Sequence, residues 1–350
     1  MGPFVHNIDP VFGQIGAFYL WWYGLTYTLG FFALFHWFRT VREPLGLDVP
    51  RVYDLTILLA AAVLIGGRIV EVVFYEWAYY SQHLPHILWI WLGGMSTHGI
   101  LLGGTLGAWL FCRLNNRSFL SLADELVIPA AFIMGLGRIG NFVDGQIVGS
   151  VTGVWWAVKF PDAEGFRHPV VLYDGLKNLM LVPVLLLIRH MKPPRGVVLG
   201  SFLFGYGFFR IIIDYFREYR IELLGLPPGQ EFNIAMSIGG IVLIIWAIRK
   251  RYPRVKPLPD NAVFNALNID IRKATRTKRI VLRAFLLIPM VIPSDWTQDV
   301  YQRYSSRHPG MIDTAWYPAI SRDGSVRQSR TPVAVPGNDR FSVETSRLDR

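Results

Sequence analysis

The sequence predicts an all-α, polytopic integral membrane protein with about seven transmembrane helices, its N-terminus periplasmic and its C-terminus cytoplasmic. Three observations carry this expectation. Of the 350 residues, 52% are apolar and only 17% charged, with a mean hydropathy of +0.33; a soluble domain is about 25% charged. Seven stretches approach the roughly 20 apolar residues that cross a bilayer: Ile15–Phe38, Asp54–Tyr75, Leu88–Cys112, Leu122–Val143, Val170–Ile188, Val197–Phe216 and Phe232–Ile248. Basic residues are concentrated in every second loop, which under the positive-inside rule sets the orientation.

The first stretch reads as a retained helix, because no basic segment precedes it and no small-residue cleavage site follows it. The loop behind it carries Arg39, Arg42 and Arg51. The second contains Arg68 and Glu71, spaced for structural pairing. The loop behind that one has no basic residue over 76–87. The third reads GGMSTHGILLGGTLGAW, with Gly99, Gly103 and Gly107 recurring every four residues. Such a face admits another backbone or a lipid chain. His98 beside it is either a helix–helix hydrogen-bonding group or a functional imidazole. Cys112, the single cysteine, excludes a disulfide scaffold and reads as a plain helix residue. Arg113 and Arg117 follow.

The fourth stretch ends MGLGRIGNFVDGQIVG. Arg138 and Asn141 are three apart and share a helix face. A guanidinium fork beside an amide suits phosphate oxygens. Gly135, Gly137, Gly140, Gly145 and Gly149 strip side-chain bulk from around them; the alternative is a snorkelling arginine at a kinked helix end. The following loop has only Lys159 and Arg167. In the fifth stretch Asp174 and Lys177 are spaced for structural pairing, and Arg189, Lys192 and Arg195 follow it. The sixth reads FGYGFFRIIIDYFRE, with Arg210 near its middle and Asp214 four residues on. That pair is an intrahelical salt bridge or part of a headgroup site. A charge inside a bilayer costs about 2.5–3.5 kcal/mol on insertion scales, so each needs a partner or a purpose. The seventh stretch is followed by Arg249, Lys250, Arg251, Arg254 and Lys256.

Two regions result: a transmembrane part over 1–252 and a basic cytoplasmic tail over 253–350, rich in Arg, Ser, Asp and Pro. Within the tail, the basic run Arg272–Arg283 leads into the apolar stretch Ile280–Pro293. That segment, 272–293, is too short to span; it reads as lying on an anionic leaflet or as part of a disordered extension. The net charge of +10 points to cytoplasmic loops and lipid headgroups, with nucleic acid the weaker alternative, and no nucleic-acid partner is expected. No nucleotide, metal or haem motif is present, so no cofactor is expected. Arginines beside apolar surface fit an anionic headgroup drawn into a cavity. They also fit a transporter or channel for an anionic solute, although no internal repeat supports that.

Read together, GRIGNFVDGQIVG, DPVFGQIGAFYLWWYGLTYTLGF, GGRIVEVVFY, GGMSTHGILLGG, RHPVVLY and YGFFRIIIDYFRE resemble the ordered motifs of the prolipoprotein diacylglyceryl transferases, over roughly residues 5–250. The resemblance implies an enzyme of the bacterial inner membrane. It would transfer diacylglycerol from phosphatidylglycerol to the lipobox cysteine thiol of a prolipoprotein signal peptide, leaving glycerol phosphate. It implies functional roles for Tyr23, His98, Asp124, Arg138, Asn141, Gly149 and Arg210. His98 is the first choice as base and Tyr23 the second. Arg138 and Arg210 would neutralise the leaving phosphate, while Asn141, Gly149 and Asp124 join Arg138 in binding phosphatidylglycerol. The glycine faces would hold its acyl chains. The chain departs from the family pattern at Asp144, Gln146 and Val171, where Asn, Glu and Gln are common. Gln146 also raises a third reading, a relative that binds lipid without turnover. The tail is longer than the family leads one to expect.

Overall fold

The structure is a computed structural model that describes residues 3–161, 163–217, 229–251, 268–294 and 316–317. It is predominantly helical. The long helices are α1 (Trp22–Thr40), α2 (Val49–Val70), α4 (Thr97–Leu114), α5 (Phe119–Val143), α6 (Val170–His190), α7 (Val197–Asp214) and α8 (Gln230–Lys250), with a short α3 (Trp77–Tyr80) between α2 and α4 and a further α9 (Asn268–Leu287) in the tail. These seven long helices coincide with the seven expected stretches. Five of them are long and apolar enough to cross a membrane: α2 with its continuation to Tyr75, α5, α6, α7 and α8.

The ends of two stretches differ from expectation, and glycine explains both. Ile15–Phe38 does not begin as helix: Val11–Ile15 (β2) and Phe18–Trp21 (β3) form an antiparallel hairpin around Gly16, which is left-handed. The third stretch is helical only from Thr97. Before it come two short 3₁₀ turns, Leu84–Leu88 and Ile90–Leu92, and then Gly93 and Gly94, both left-handed. Ser96 then caps α4 by accepting from the Gly99 amide. A second ladder pairs Phe4–Val5 (β1) with Val158–Lys159 (β4) in parallel. The all-α expectation therefore holds for the bundle and not for its loops.

The glycine faces hold protein. A Cβ at Gly99 would lie 2.2 Å from the Gly66 carbonyl oxygen, and one at Gly103 would lie 2.1 Å from that of Ala62. α2 and α4 thus pack antiparallel with backbones in contact, and the expectation that this face holds acyl chains is corrected. Gly104 points elsewhere and has room: its nearest neighbour, Val63 Cγ2, is 3.5 Å from a Cβ. Gly103→Ala should therefore destabilise the folded protein by about 1–3 kcal/mol, as overpacking does, while Gly104→Ala should leave the thermal midpoint in detergent nearly unchanged.

Arg68 is structural, by means that spacing did not reveal. Its guanidinium donates to the carbonyls of His86, Ile87, Trp89 and Gly93 at 2.5–3.2 Å. It thereby ties the end of α2 to the 3₁₀ segment.

The tail packs on the bundle. Lys278 on α9 forms an ion pair with Asp54 at the start of α2, 2.6 Å. Leu282 and Leu286 join the apolar core of α1, α2 and α4, and the Thr28 hydroxyl donates to the Leu286 carbonyl. The turn Ile288–Val291 then crosses α1, where only a glycine fits: a Cβ at Gly24 would overlap the Pro289 carbonyl. Farther on, Trp316 accepts from Trp91 Nε1 through its carbonyl, and the Tyr317 hydroxyl accepts from the Tyr19 amide. Burial pushes that hydroxyl up to about 12. The described part of 272–293 thus lies in a groove of the bundle, and residues 288–294 and 316–317 reach the end that carries the N-terminus, which corrects the expectation of a segment lying on the leaflet and of a tail confined to the cytoplasmic side. The rest of the tail lies outside the described residues.

Candidate functional site: an arginine cluster above an apolar chamber

Helices α5, α6 and α7 bring Arg138, Asp174 and Arg210 together. Arg138 Nε donates to Asp174 Oδ2 at 2.6 Å, and Arg210 Nη1 donates to the same oxygen at 2.5 Å. Lys177, one turn beyond Asp174, approaches Oδ1 at 2.8 Å. Arg210 Nε reaches Asp214 at 3.2 Å. Arg138 Nη1 donates to Asn141 at 3.2 Å, and the Asn141 amide donates to Gln146 at 3.3 Å.

One carboxylate therefore serves three cations. The Asp174 side chain is 1% exposed, while those of Arg138 and Arg210 are 17% and 12% exposed. The anion is sealed, and the guanidinium groups remain within reach. Three cations against Asp174 and Asp214 leave one formal positive charge in excess. Nη2 of either arginine has no partner among the described residues. The cluster is thus held rigid by its own counter-ion and keeps donors for an added anion.

Glycines allow the close packing here too. A Cβ at Gly175 would meet Arg138 Cβ at 3.0 Å, one at Gly137 the Tyr27 hydroxyl at 3.1 Å, and one at Gly140 the Tyr23 Cα at 2.9 Å. These glycines admit neighbouring helices and not a ligand. Tyr23 is thereby fixed beside Arg138, with its hydroxyl donating to Tyr27 at 3.1 Å.

Below this layer lies an apolar cavity of about 470 Å³ among α1, α2, α4, α5, α7 and α8. Tyr27 and Tyr206, on its wall, join it to the cluster; the Lys177 ammonium sits 3.7 Å over the Tyr206 ring. Most of the lining is apolar, including Ile100, Leu126, Phe202 and Met236.

The other expected residues lie elsewhere. His98 is exposed at the start of α4, with Nδ1 3.3 Å from the Tyr75 hydroxyl and its ring 6.2 Å from that of Phe232. It is at the cluster's end of the bundle without touching the cluster. Gly149 bridges to Arg217 in the loop layer. Asp124 is at the far end, since the 14 residues that separate it from Arg138 on α5 span about 21 Å of helix. Its carboxylate accepts from the amides of Gly196 and Leu199, both at 2.8 Å, and so caps α7. Asp124→Ala should cost about 0.5–2 kcal/mol of stability through that cap, with transfer per folded molecule retained; a thermal melt and an initial rate separate the two.

Sequence reasoning missed Asp174 as the hub, because its cross-helix partners are invisible in spacing. The signal available was the excess of cations in the spans. It also missed the bond from the Ser294 hydroxyl to Asp144, which the Ser294 amide reinforces at 3.4 Å.

Fold and site together define a helical membrane protein with a basic, counter-ion-braced site above an apolar chamber. The prolipoprotein diacylglyceryl transferase family model matches residues 10–246, and the chain belongs to that family. Relatives named phosphatidylglycerol–prolipoprotein diacylglyceryl transferase include one from Aliivibrio salmonicida, 39% identical over 70% of this chain and 89% of its own length. Others come from Nitrosomonas europaea, 38% identical over 69% and 91%, and Geobacter sulfurreducens, 37% identical over 70% and 97%. The family match ends before the tail.

Proposed function

We infer that this chain transfers the diacylglyceryl group of phosphatidylglycerol to the thiol of a prolipoprotein's lipobox cysteine. The observation that carries the reading is the arginine cluster joined to the apolar chamber through Tyr27 and Tyr206. An anionic phospholipid has the same two-part character, a phosphate and apolar chains. In this reading the phosphate lies against Arg138 and Arg210, Asn141 orients an oxygen, and the chains enter the chamber. The thiol sulfur attacks the glycerol carbon that bears the phosphate. A C–S bond forms, the C–O bond breaks and glycerol phosphate leaves with the electron pair. The arginines meet the charge that develops on it. For the base that takes the thiol proton, His98 at the same end of the bundle is the first choice and Tyr23, beside Arg138, the second.

The seven long helices are read as seven spans in a bacterial inner membrane, with the N-terminus and the arginine cluster on the periplasmic side. The loop asymmetry of Arg and Lys supports this. Cysteine labelling at position 5 from the outer face is the expected result; labelling only from the cytoplasmic face contradicts it. The function is tested with purified protein, phosphatidylglycerol vesicles and a lipobox peptide. The peptide should gain the mass of one diacylglyceryl group, and its Cys→Ser version should gain none.

A further inference from the structure

We propose that the tail segment Lys278–Ser294 is a tethered mimic of a secretory signal peptide, and that the groove it occupies along α2 and across α1 is the docking site for the signal peptide of the prolipoprotein substrate. This rests on the transferase reading above and names where that enzyme's second substrate binds.

The mimicry is in the order of residue types. A signal peptide has a basic beginning, an apolar run of about 7–15 residues and a small residue at its end. The tail has Arg276, Lys278 and Arg279, then the run Ile280–Pro293 broken once by Arg283, then Ser294. Its placement follows the same order. The basic end is fixed by the Lys278–Asp54 ion pair at the start of α2. Leu282 and Leu286 are buried in the core of the groove, and exposed Arg283 turns away from it. The far end arrives at the site: Pro289 and Ile292 line one small cavity with Tyr23, Gly24 and Tyr27. Ser294 is buried and its hydroxyl donates to Asp144. Asp144 lies one turn past Gly140, to whose carbonyl its amide donates at 3.0 Å, and Gly140 packs against the Tyr23 backbone.

The reach is right for a spanning peptide. Helix from Lys278 to Leu287 rises about 14 Å, the 3₁₀ turn about 8 Å and the extended end about 10 Å. The total of about 32 Å along the segment is enough to cross a hydrocarbon core of about 30 Å. A basic-first peptide that crosses in this groove would present its last side chain beside Tyr23 and Asp144. In a lipobox peptide that side chain bears the thiol; in the tail it is the Ser294 hydroxyl. The tail is therefore a competitor held at an effective concentration of order millimolar, which the substrate peptide must displace.

The test compares the full chain with a chain ending after Lys256, using phosphatidylglycerol vesicles and a lipobox peptide whose concentration is varied. Truncation should lower KM for the peptide about tenfold and leave KM for phosphatidylglycerol unchanged. A synthetic peptide of residues 274–294 should inhibit the truncated enzyme competitively against the lipobox peptide. Leu286→Asp, which unseats the tail in a full-length chain, should reproduce the drop in KM if the truncated chain does not insert. Binding is read separately by a photoreactive group placed beside the lipobox cysteine, which should label the α1 region Tyr23–Thr28 more strongly in the truncated chain. Unchanged peptide KM, a fall in kcat on unseating the tail, or labelling indifferent to the tail would each overturn the proposal. Photolabelling that responds to the tail, with no thioether from any variant, would refute the transferase reading and leave the docking site standing.

Discussion

Asp174→Ala is expected to be among the most damaging single changes in the protein. It leaves Arg138, Arg210 and Lys177 facing one another with the shared carboxylate gone. Removing one partner from a buried ionic group costs about 3–5 kcal/mol, because the remaining charge stays desolvated. Asp174→Asn separates the two parts of the effect. It keeps the shape, so the protein should insert, but the arginines lose the anchor that aims them. Transfer per inserted molecule should fall about a hundredfold or more, and the thermal midpoint of both variants should fall. Near wild-type rates in Asp174→Asn would show that the helices hold the arginines without the carboxylate.

Arg138→Lys and Arg210→Lys should insert normally and lose most activity. Each arginine makes two charge-assisted contacts within the cluster, through Nε and Nη1, and leaves Nη2 without a partner among the described residues. A lysine places one compact ammonium there and cannot do both. Loss of a preorganised donor to developing charge costs about 2.7–4 kcal/mol, a hundred- to thousandfold in rate. Arg68→Lys is the control. It forfeits hydrogen bonds to the 86–93 carbonyls, so it should lower the melting point and leave the rate per folded molecule largely intact. Initial rates per inserted enzyme for the three variants decide the matter.

What could be read from the sequence follows from what a one-dimensional pattern can encode. The long helices were legible because apolar runs of bilayer length have few alternatives. Arg138, Asn141 and Arg210 were legible because polar groups in such runs demand a reason. Pairs within one helix were legible too: Lys177–Asp174 and Arg210–Asp214 both form. Contacts between helices were not. Spacing showed that Gly99, Gly103 and Gly107 make a smooth face but not whether α2 or a lipid fills it. It placed Asp174 one turn from Lys177 and could not place it between two arginines from other helices. The same gap hid the role of Asp124, whose partners are backbone amides 72 and 75 residues away. The tail misled for a different reason: Ile280–Pro293 is short and interrupted by charge, and only the groove between other helices gives it somewhere to go.

The central claim is that phosphatidylglycerol meets the Arg138–Asp174–Arg210 cluster and is split there by a thiol. Release of glycerol phosphate from phosphatidylglycerol vesicles, followed by ³¹P NMR with purified protein, tests it most directly. The account predicts release only when a thiol-bearing lipobox peptide is present, in equal amount to the thioether formed, and its near abolition in Arg138→Lys and Arg210→Lys. Phosphatidylglycerol left intact in the presence of the peptide, or split equally fast without it, would contradict the account.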